Sequence, residues 1–212
     1  MENISELERQ RILKLYDAER ELQSKGYKLV AGVDEAGRGP LAGPVVAGAV
    51  ILALDTLIMD LKDSKLLSEK KRERVYGEIK KYALAYAFDV VDEKYIDSYN
   101  ILNATLLAMR RAVEKLSIKP DYVLVDALKI PGIKIPQQAI IHGDGLCACI
   151  AAASIVAKVE RDRIMREYDR LYPEYGFRRN KGYGTKEHVA SIREYGFCPV
   201  HRKSFSIKGL EI

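Results

Sequence analysis

The stretch "GVDEAGRGPLAGPVVAGAVIL", Gly32 to Leu52, decides how the rest of the chain is read. An apolar run beginning near Tyr27 enters an acidic pair, Asp34 and Glu35. An arginine between two glycines follows, Gly37-Arg38-Gly39, and Pro40 and Pro44 lead into a second apolar run. A dinucleotide-binding turn needs a helix after its glycines; here "PVVAGAVIL" reads as a strand, so that reading fails on context. Two strands joined by a short Gly/Pro-rich connection most simply pair antiparallel. Glycines at 37 and 39 admit φ > 0 and let backbone groups touch a ligand with no Cβ in the way, while Arg38 supplies a fork for phosphate. The plainer alternative is a hairpin with an exposed arginine.

Working outward, "SEKKRERVYGEIKKY" reads as a helix with Ser68 as N-cap, and "ALAYAFDVV" as a third strand that completes a meander. From Ser98, apolar positions at 102, 105/106, 109, 113 and 116 keep a helical period until Lys119-Pro120. "YVLVD" is a short apolar run, the pattern of a strand buried on both faces, and it ends in Asp126. "QQAIIHGDG" reads as a last short strand and turn. A long alanine-rich helix is expected over 146–173. A meander followed by helix-separated strands makes an α/β fold with a mixed five-stranded sheet flanked by helices. Before it, Leu7, Ile12, Leu13, Leu15, Tyr16 and Leu22 suggest one amphipathic leader helix over 1–27, stopped by Gly26 and packed on the outside of a main domain, 28–212.

At 212 residues and 48% hydrophobic content, one compact domain is expected. The net charge of +5 is mild, but from Arg178 to Lys208 eight basic residues stand against two acidic ones, the footprint of an anion-facing surface. Three cysteines, Cys147, Cys149 and Cys198, cannot all pair and lack zinc-knuckle spacing, which points to a reducing cytoplasm. The charged start has no apolar core of a signal peptide, and no apolar run is long enough for a membrane span. A monomer is the default expectation.

Asp34, Glu35, Asp126 and Asp144 all fall at strand ends or in the turns just after them. Two like charges about 4 Å apart repel by roughly 4 kcal/mol at an effective dielectric of 20, so a cluster of carboxylates calls for a cation. Oxygen-only ligation without cysteine or histidine points to Mg²⁺ or Mn²⁺. A pair of such ions suits phosphodiester hydrolysis. Successive strand residues point to opposite faces, so Glu35 is expected to lie beyond its strand. Plainer roles exist for Asp144, as an N-cap, and for Asp126, as a turn cap. Asp63 and Asp121 read as structural.

"GVDEAGRGPLAGPVVAGAVIL", "LKDSKLLSEKKRERVY", "ILNATLLAMRRAV", "AAASIVAKVERDR" and "NKGYGTKEHVASIREYGFCPVHRKSF" occur in this order, and from about Gly32 to Phe205 the chain resembles ribonuclease HII, the type 2 ribonuclease H family. The resemblance implies a ribonuclease H-like fold with a helical C-terminal part. It also implies hydrolysis of the RNA strand of RNA–DNA hybrids and incision 5′ of single ribonucleotides embedded in duplex DNA, giving 3′-hydroxyl and 5′-phosphate ends. Asp34, Glu35, Asp126 and Asp144 take the family's metal-binding positions. Gly37, Arg38 and Gly39 take those of its GRG motif, and Tyr183 that of its junction-sensing tyrosine. The RNA-specific 2′-hydroxyl gives such a device something to read. Ser64, Lys65, Lys181 and Arg202 are candidates for phosphate contacts.

Departures from the family pattern are Ala127 and Leu128, where glycine and a polar residue are common, and Cys147 and Cys149, where serines are frequent. Both cysteines read as packing residues. His188 and His201 read as ordinary hydrogen-bonding groups; His142, next to Asp144, could approach the site, with an ordinary role favoured over a catalytic one. The tail "SIKGLEI" shows no clear sliding-clamp motif, so no replication partner is expected from it. A noncatalytic hybrid-binding module is the rival from another class, but binding alone does not require four carboxylates at a phosphate surface. A strand transferase on the same fold would need a target-binding domain for which the chain has little room.

Overall fold

Five strands, β1 (Val30–Ala36), β2 (Val45–Leu52), β3 (Ala83–Val91), β4 (Tyr122–Asp126) and β5 (Gln137–Ile140), form one sheet in the order β3-β2-β1-β4-β5 in a computed structural model that describes residues 5–206. The first three pair antiparallel as a meander, whereas β4 joins β1, and β5 joins β4, in parallel. The fold is therefore α/β with a mixed five-stranded sheet. Around it run α1 (Glu6–Lys14), α2 (Asp17–Ser24), α3 (Glu69–Tyr82), α4 (Glu93–Glu114), α5 (Gly143–Leu146), α6 (Ala148–Leu171), α7 (Phe177–Asn180) and α8 (Lys186–Tyr195).

The interior strand β2 is buried at every position, and its alternation divides the core. Val45, Ala47, Ala49 and Ile51 face a layer built by α4, with Ile96, Ala104, Ala108, Met109, Ala112 and Val113. Val50 and Leu52 face the other layer, which holds α6, α3 and the leader residues Ile12, Leu15 and Tyr16. The approach of α6 is unusually close. A Cβ added at Gly32 of β1 would lie 2.1 Å from the backbone carbon of Cys149, and one at Gly48 of β2 would lie 2.5 Å from the Ala153 carbonyl oxygen. Glycine in the sheet and alanine in the helix are thus two halves of one contact. A smaller core of Ala42, Met165, Tyr175, Phe177, Ile192, Cys198 and Val200 ties the C-terminal helices to the loop after β1.

Several elements differ from expectation. The leader is two helices, broken at Leu15 and Tyr16, because Tyr16 turns into the core and its hydroxyl donates to the Thr56 carbonyl at 2.8 Å. Leu7, counted on the leader's apolar face, is exposed. Helix α4 starts at Glu93 rather than Ser98, is interrupted by Asn100 at φ 67°, and ends at Glu114. Its buried face sets Ala104, Ala108 and Ala112 beside Ile96, Thr105, Met109 and Val113, while Leu102 faces solvent. The helix expected to start at Leu146 is split by extended Cys147 into the single turn α5 and the 24-residue α6. Ser68 does cap α3, accepting from the Lys71 N–H. The last residues, which carry most of "SIKGLEI", lie outside the described region.

Candidate active site

The sheet register brings two acids together. The last β1–β4 pair is Val33 with Val125, so one step further along the parallel strands come Asp34 and Asp126, neighbours on the same face. Asp34, Glu35 and Asp126 line one cleft with Gly37, Arg38, Gly39, Ser64, Lys65 and Tyr183. Asp144 reaches this group from α5. The Gly143 N–H, one residue earlier, donates to Asp126 Oδ1 at 2.8 Å, and Lys65 Nζ donates to Asp144 Oδ2 at 3.2 Å. Asp144 lies inside the first turn of α5 and is not an N-cap. Glu35 is still within β1, paired with Ala47, rather than beyond it, yet it lines the same cleft because the strand ends one residue later.

Burial and mutual repulsion dominate the electrostatics. Burial pushes the Asp34 carboxyl well up, and the charges of Glu35 and Asp126 push it further. Glu35 is also raised, by burial first, with Asp126 adding to the shift and Arg38 opposing it. Asp126 is raised by burial and then by Asp144, against the pull of the Gly143 N–H. The nearest cations are Lys65 and Arg38, the latter 3.5 Å from Glu35 Oε1.

The loop between β1 and β2 is held by two buried arginines. Arg202 donates to the carbonyls of Gly37 (2.6 Å), Arg38 (3.0 Å), Pro40 (2.8 Å) and Gly43 (2.8 Å). Arg161 of α6 donates to Pro44 (3.0 Å), Ala42 (3.1 Å) and Lys181 (2.9 Å). Gly37 sits at φ 100°, and a Cβ there would fall 2.1 Å from Arg161 Nε. Gly39 does not share this need. Its φ is not in the left-handed range, and a Cβ there would meet only the Tyr183 ring, at 3.8 Å. Tyr183 is 48% exposed, with its ring over the loop.

Among the remaining expected contacts, Ser64 is buried at the cleft wall and Lys65 stands largely in solvent at its mouth. Lys181 and Arg202 differ from expectation. The Lys181 ammonium is 3.8 Å from Glu69, away from the lining of the cleft. Arg202 is 1% exposed with its guanidinium spent on carbonyls, so it shapes the loop and presents nothing to a phosphate. Sequence reasoning missed Lys158 and Arg161, which also line the cleft. Their spacing of three on a helix that is otherwise apolar before them was the available signal. His188 and His201 are buried against each other, Nε2 to Nε2 at 3.0 Å, in the hydrogen-bonding role expected. Asp63 caps a turn by accepting from the Lys65 N–H, and Asp121 accepts from the N–H groups of Lys28 and Leu29 just before β1, both structural roles. All three cysteines are free and buried.

The donor set fits a hard divalent cation. It offers only carboxylate oxygens, three of them on one cleft, with protonation favoured by burial and by one another's charge, a penalty that a cation removes. Among the described residues no three acidic, histidine or cysteine side chains stand at cation-holding spacing.

The ribonuclease HII family model matches residues 31–208. Ribonuclease HII of Desulfitobacterium hafniense strain DCB-2 is 54% identical over 200 residues, covering 94% of this chain and 77% of that protein. The Caldanaerobacter subterraneus ribonuclease HII is 52% identical over 206 residues, covering 97% and 85%. Among solved structures, ribonuclease H2 of Pyrococcus horikoshii superposes with a TM-score of 0.70 at 29% identity, over 84% of this chain and 93% of that one. Ribonuclease HII of Archaeoglobus fulgidus, solved in complex with PCNA, shares the fold with a TM-score of 0.72 at 22% identity, over 87% and 98%. With its mixed sheet, its cleft of acids and this similarity along nearly the whole length, the chain belongs to the ribonuclease HII family and is a metal-dependent ribonuclease H.

Proposed function

We propose that the enzyme hydrolyses the RNA strand of RNA–DNA hybrids and nicks duplex DNA on the 5′ side of a single embedded ribonucleotide, leaving 3′-hydroxyl and 5′-phosphate ends, a role in ribonucleotide excision repair. The observation that supports it is the sharing of one cleft by Asp34, Glu35 and Asp126, by the glycine loop, and by Tyr183. Two divalent ions, Mg²⁺ or Mn²⁺, held by Asp34, Glu35, Asp126 and Asp144, would supply the charge that stabilises the attacking and leaving oxygens of an in-line displacement by water.

The chain's own groups do the rest. The loop at Gly37, Arg38 and Gly39 presents backbone to the sugar, and the absent Cβ at Gly39 leaves the space beside the Tyr183 ring open. The 2′-hydroxyl is the group such a loop reads, and the ring packs on the sugar that carries it. Lys65 at the cleft mouth, with Ser64 behind it, is the candidate to meet phosphate oxygens, whereas Lys158, deeper in, is paired with Asp162. Arg202 and Arg161 keep the loop in one shape, so that no ordering is needed when substrate arrives.

One experiment tests the whole reading. Cleavage of a duplex carrying one ribonucleotide is measured against Mg²⁺ concentration for the wild type, Asp126→Asn and Tyr183→Ala. No cleavage is expected without metal or with Asp126→Asn, whose duplex binding persists. Tyr183→Ala is expected to lose incision at the single ribonucleotide by roughly 10- to 100-fold, the range of a stacking contact. Near-normal turnover by Asp126→Asn sinks the carboxylate assignment, and an unchanged rate for Tyr183→Ala sinks the sugar-reading role.

A further inference from the structure

The longest helix of the described chain, α6, begins without the usual provisions of a helix start. Its N-cap is Cys147, whose side chain makes no capping hydrogen bond, and its first turn carries no acidic residue. The first backbone N–H groups of a helix need partners from outside it. Here they come from two places. The Cys147 N–H donates to the Gly143 carbonyl at 2.8 Å, within the connection itself. The next two are met by the leader: the Ala148 N–H donates to the Leu15 carbonyl at 2.9 Å, and the Cys149 N–H donates to Glu19 Oε1 at 2.9 Å.

Two features of the leader serve this contact. The break between α1 and α2 at Leu15 and Tyr16 puts the Leu15 carbonyl outside either helix, where α6 can use it. Glu19 is only 6% exposed, an uncommon burial for a glutamate. Its second oxygen has no hydrogen-bond partner among the described residues. A carboxylate at a helix start gains from both the N–H bond and the helix dipole, and no other acid serves this one.

The anchored end of α6 is also one end of the catalytic cleft. Only Cys147 separates it from α5, which carries Asp144. Gly143 packs against Ile150, so closely that a Cβ there would lie 2.5 Å from its Cδ1, and the Gly143 N–H holds Asp126 Oδ1. The path from Glu19 to two of the four acids is therefore continuous, through Cys149 and Ile150 to Gly143, Asp144 and Asp126.

We infer that Glu19 is a positioning residue for the metal site: from outside the catalytic cleft it pins the start of α6 and thereby fixes the 143–149 segment that sets Asp144 and Asp126. The inference rests on the reading of those two acids as cation ligands. It gives the leader a task in catalysis that does not involve touching substrate.

The test compares full-length wild type, Glu19→Gln and Glu19→Ala by three measurements. Backbone hydrogen exchange over residues 143–150 reports the pin directly; Mn²⁺ binding by calorimetry reports the ligands; the Mg²⁺ dependence of cleavage and the KM for duplex report the consequence. Glu19→Ala is expected to speed exchange in this segment and to weaken Mn²⁺ binding by about fivefold, the size of a lost cap. The half-maximal Mg²⁺ concentration rises with it, while KM for duplex stays put. Glu19→Gln, which keeps an acceptor oxygen, stays close to wild type. If Glu19→Ala fails to fold, Glu19→Leu preserves the bulk and carries the comparison.

Wild-type exchange and Mn²⁺ affinity in Glu19→Ala overturn the inference, as does equal loss in the Ala and Gln variants. A fall in melting temperature with no change at the metal site also overturns it, because that is what plain packing would give. Asp126→Asn, run alongside, separates this from the functional reading. If Asp126→Asn cleaves normally the ligand assignment has failed, and if only the Glu19 variants behave as wild type the pin has failed.

Discussion

The acidic wall of the cleft and the glycine loop opposite it are built on opposite electrostatic principles. At the acidic wall, buried carboxylates crowd one another and their protonation is favoured, with only Lys65 and Arg38 near enough to offset them. In the loop, six hydrogen bonds from Arg202 and Arg161 reach carbonyls at Gly37, Arg38, Pro40, Ala42, Gly43 and Pro44, and a seventh ties Arg161 to the Lys181 carbonyl. The first region is kept unsatisfied and the second is saturated. On the function proposed above, the wall that takes up charged ions needs unspent charge, whereas the loop that measures a single hydroxyl needs a fixed shape.

This contrast can be broken from either side. The largest effect is expected from Asp34→Asn, which should lower kcat on the order of 1,000-fold, about 4 kcal/mol of transition-state stabilisation. The same change should stabilise the metal-free protein, and the sign follows from linkage. Asp34 has its carboxyl raised by folding, so the folded chain holds its proton more tightly than the unfolded chain. Stability is therefore lost as pH rises above the ordinary aspartate range of about 4. Asparagine has no such loss. Denaturation in chelator should show the variant gaining on the wild type as pH rises, and parallel curves would remove the claim that the wall is strained.

Arg202→Met should act in the reverse direction. It strips four carbonyls of a buried donor and is expected to cost about 3–5 kcal/mol in urea denaturation. In the folded fraction, incision at single ribonucleotides should fall more than Mn²⁺ affinity does. A loss of Mn²⁺ affinity equal to the loss of incision would show that the two regions are not separable.

The smallest expected effect sharpens the comparison at the acidic wall. Ala127, directly after Asp126, is held at φ 50°, a left-handed conformation that costs an L-residue roughly 1–2 kcal/mol. Glycine removes that cost but loses about 0.5–1 kcal/mol of chain entropy. Ala127→Gly should therefore stabilise the protein by up to about 1 kcal/mol, read from thermal melts, and a loss of stability would show the turn unstrained.

Much of this was legible in the sequence, for reasons that differ from residue to residue. The meander and the parallel β4 were readable because strand periodicity and the stops at Gly and Pro are local signals. The meeting of Asp34 and Asp126 in one cleft was readable because each closes an apolar run that becomes a strand, and the parallel register sets the two strand ends side by side. The break in the leader was not, since it depends on where Tyr16 finds a hydrogen-bond partner, 40 residues away at Thr56. The start of α4 was obscured by Asn100, a single left-handed residue that no period reveals. Arg202 was assigned to phosphate because a basic residue in a basic tail is indistinguishable, in sequence, from one folded inward. Only the positions of four carbonyls from the β1–β2 loop decide between them. The same holds for Glu19, whose purpose is set by a helix beginning 129 residues later.

Gly48 pairs across the sheet with Asp34 and Gly32 precedes Asp34 by two residues on β1, and neither offers a side chain of its own to the chemistry, yet they govern a length that matters to all of the acids. Because neither carries a side chain, α6 rests on the sheet's backbone like a rule laid on a table. One end of that rule is fixed at the acids and its middle, through Arg161, at the glycine loop. A single methyl group at Gly32 would lift it, moving both reference marks at once. The spacing between the acidic cluster and the glycine loop is thus calibrated by two missing side chains.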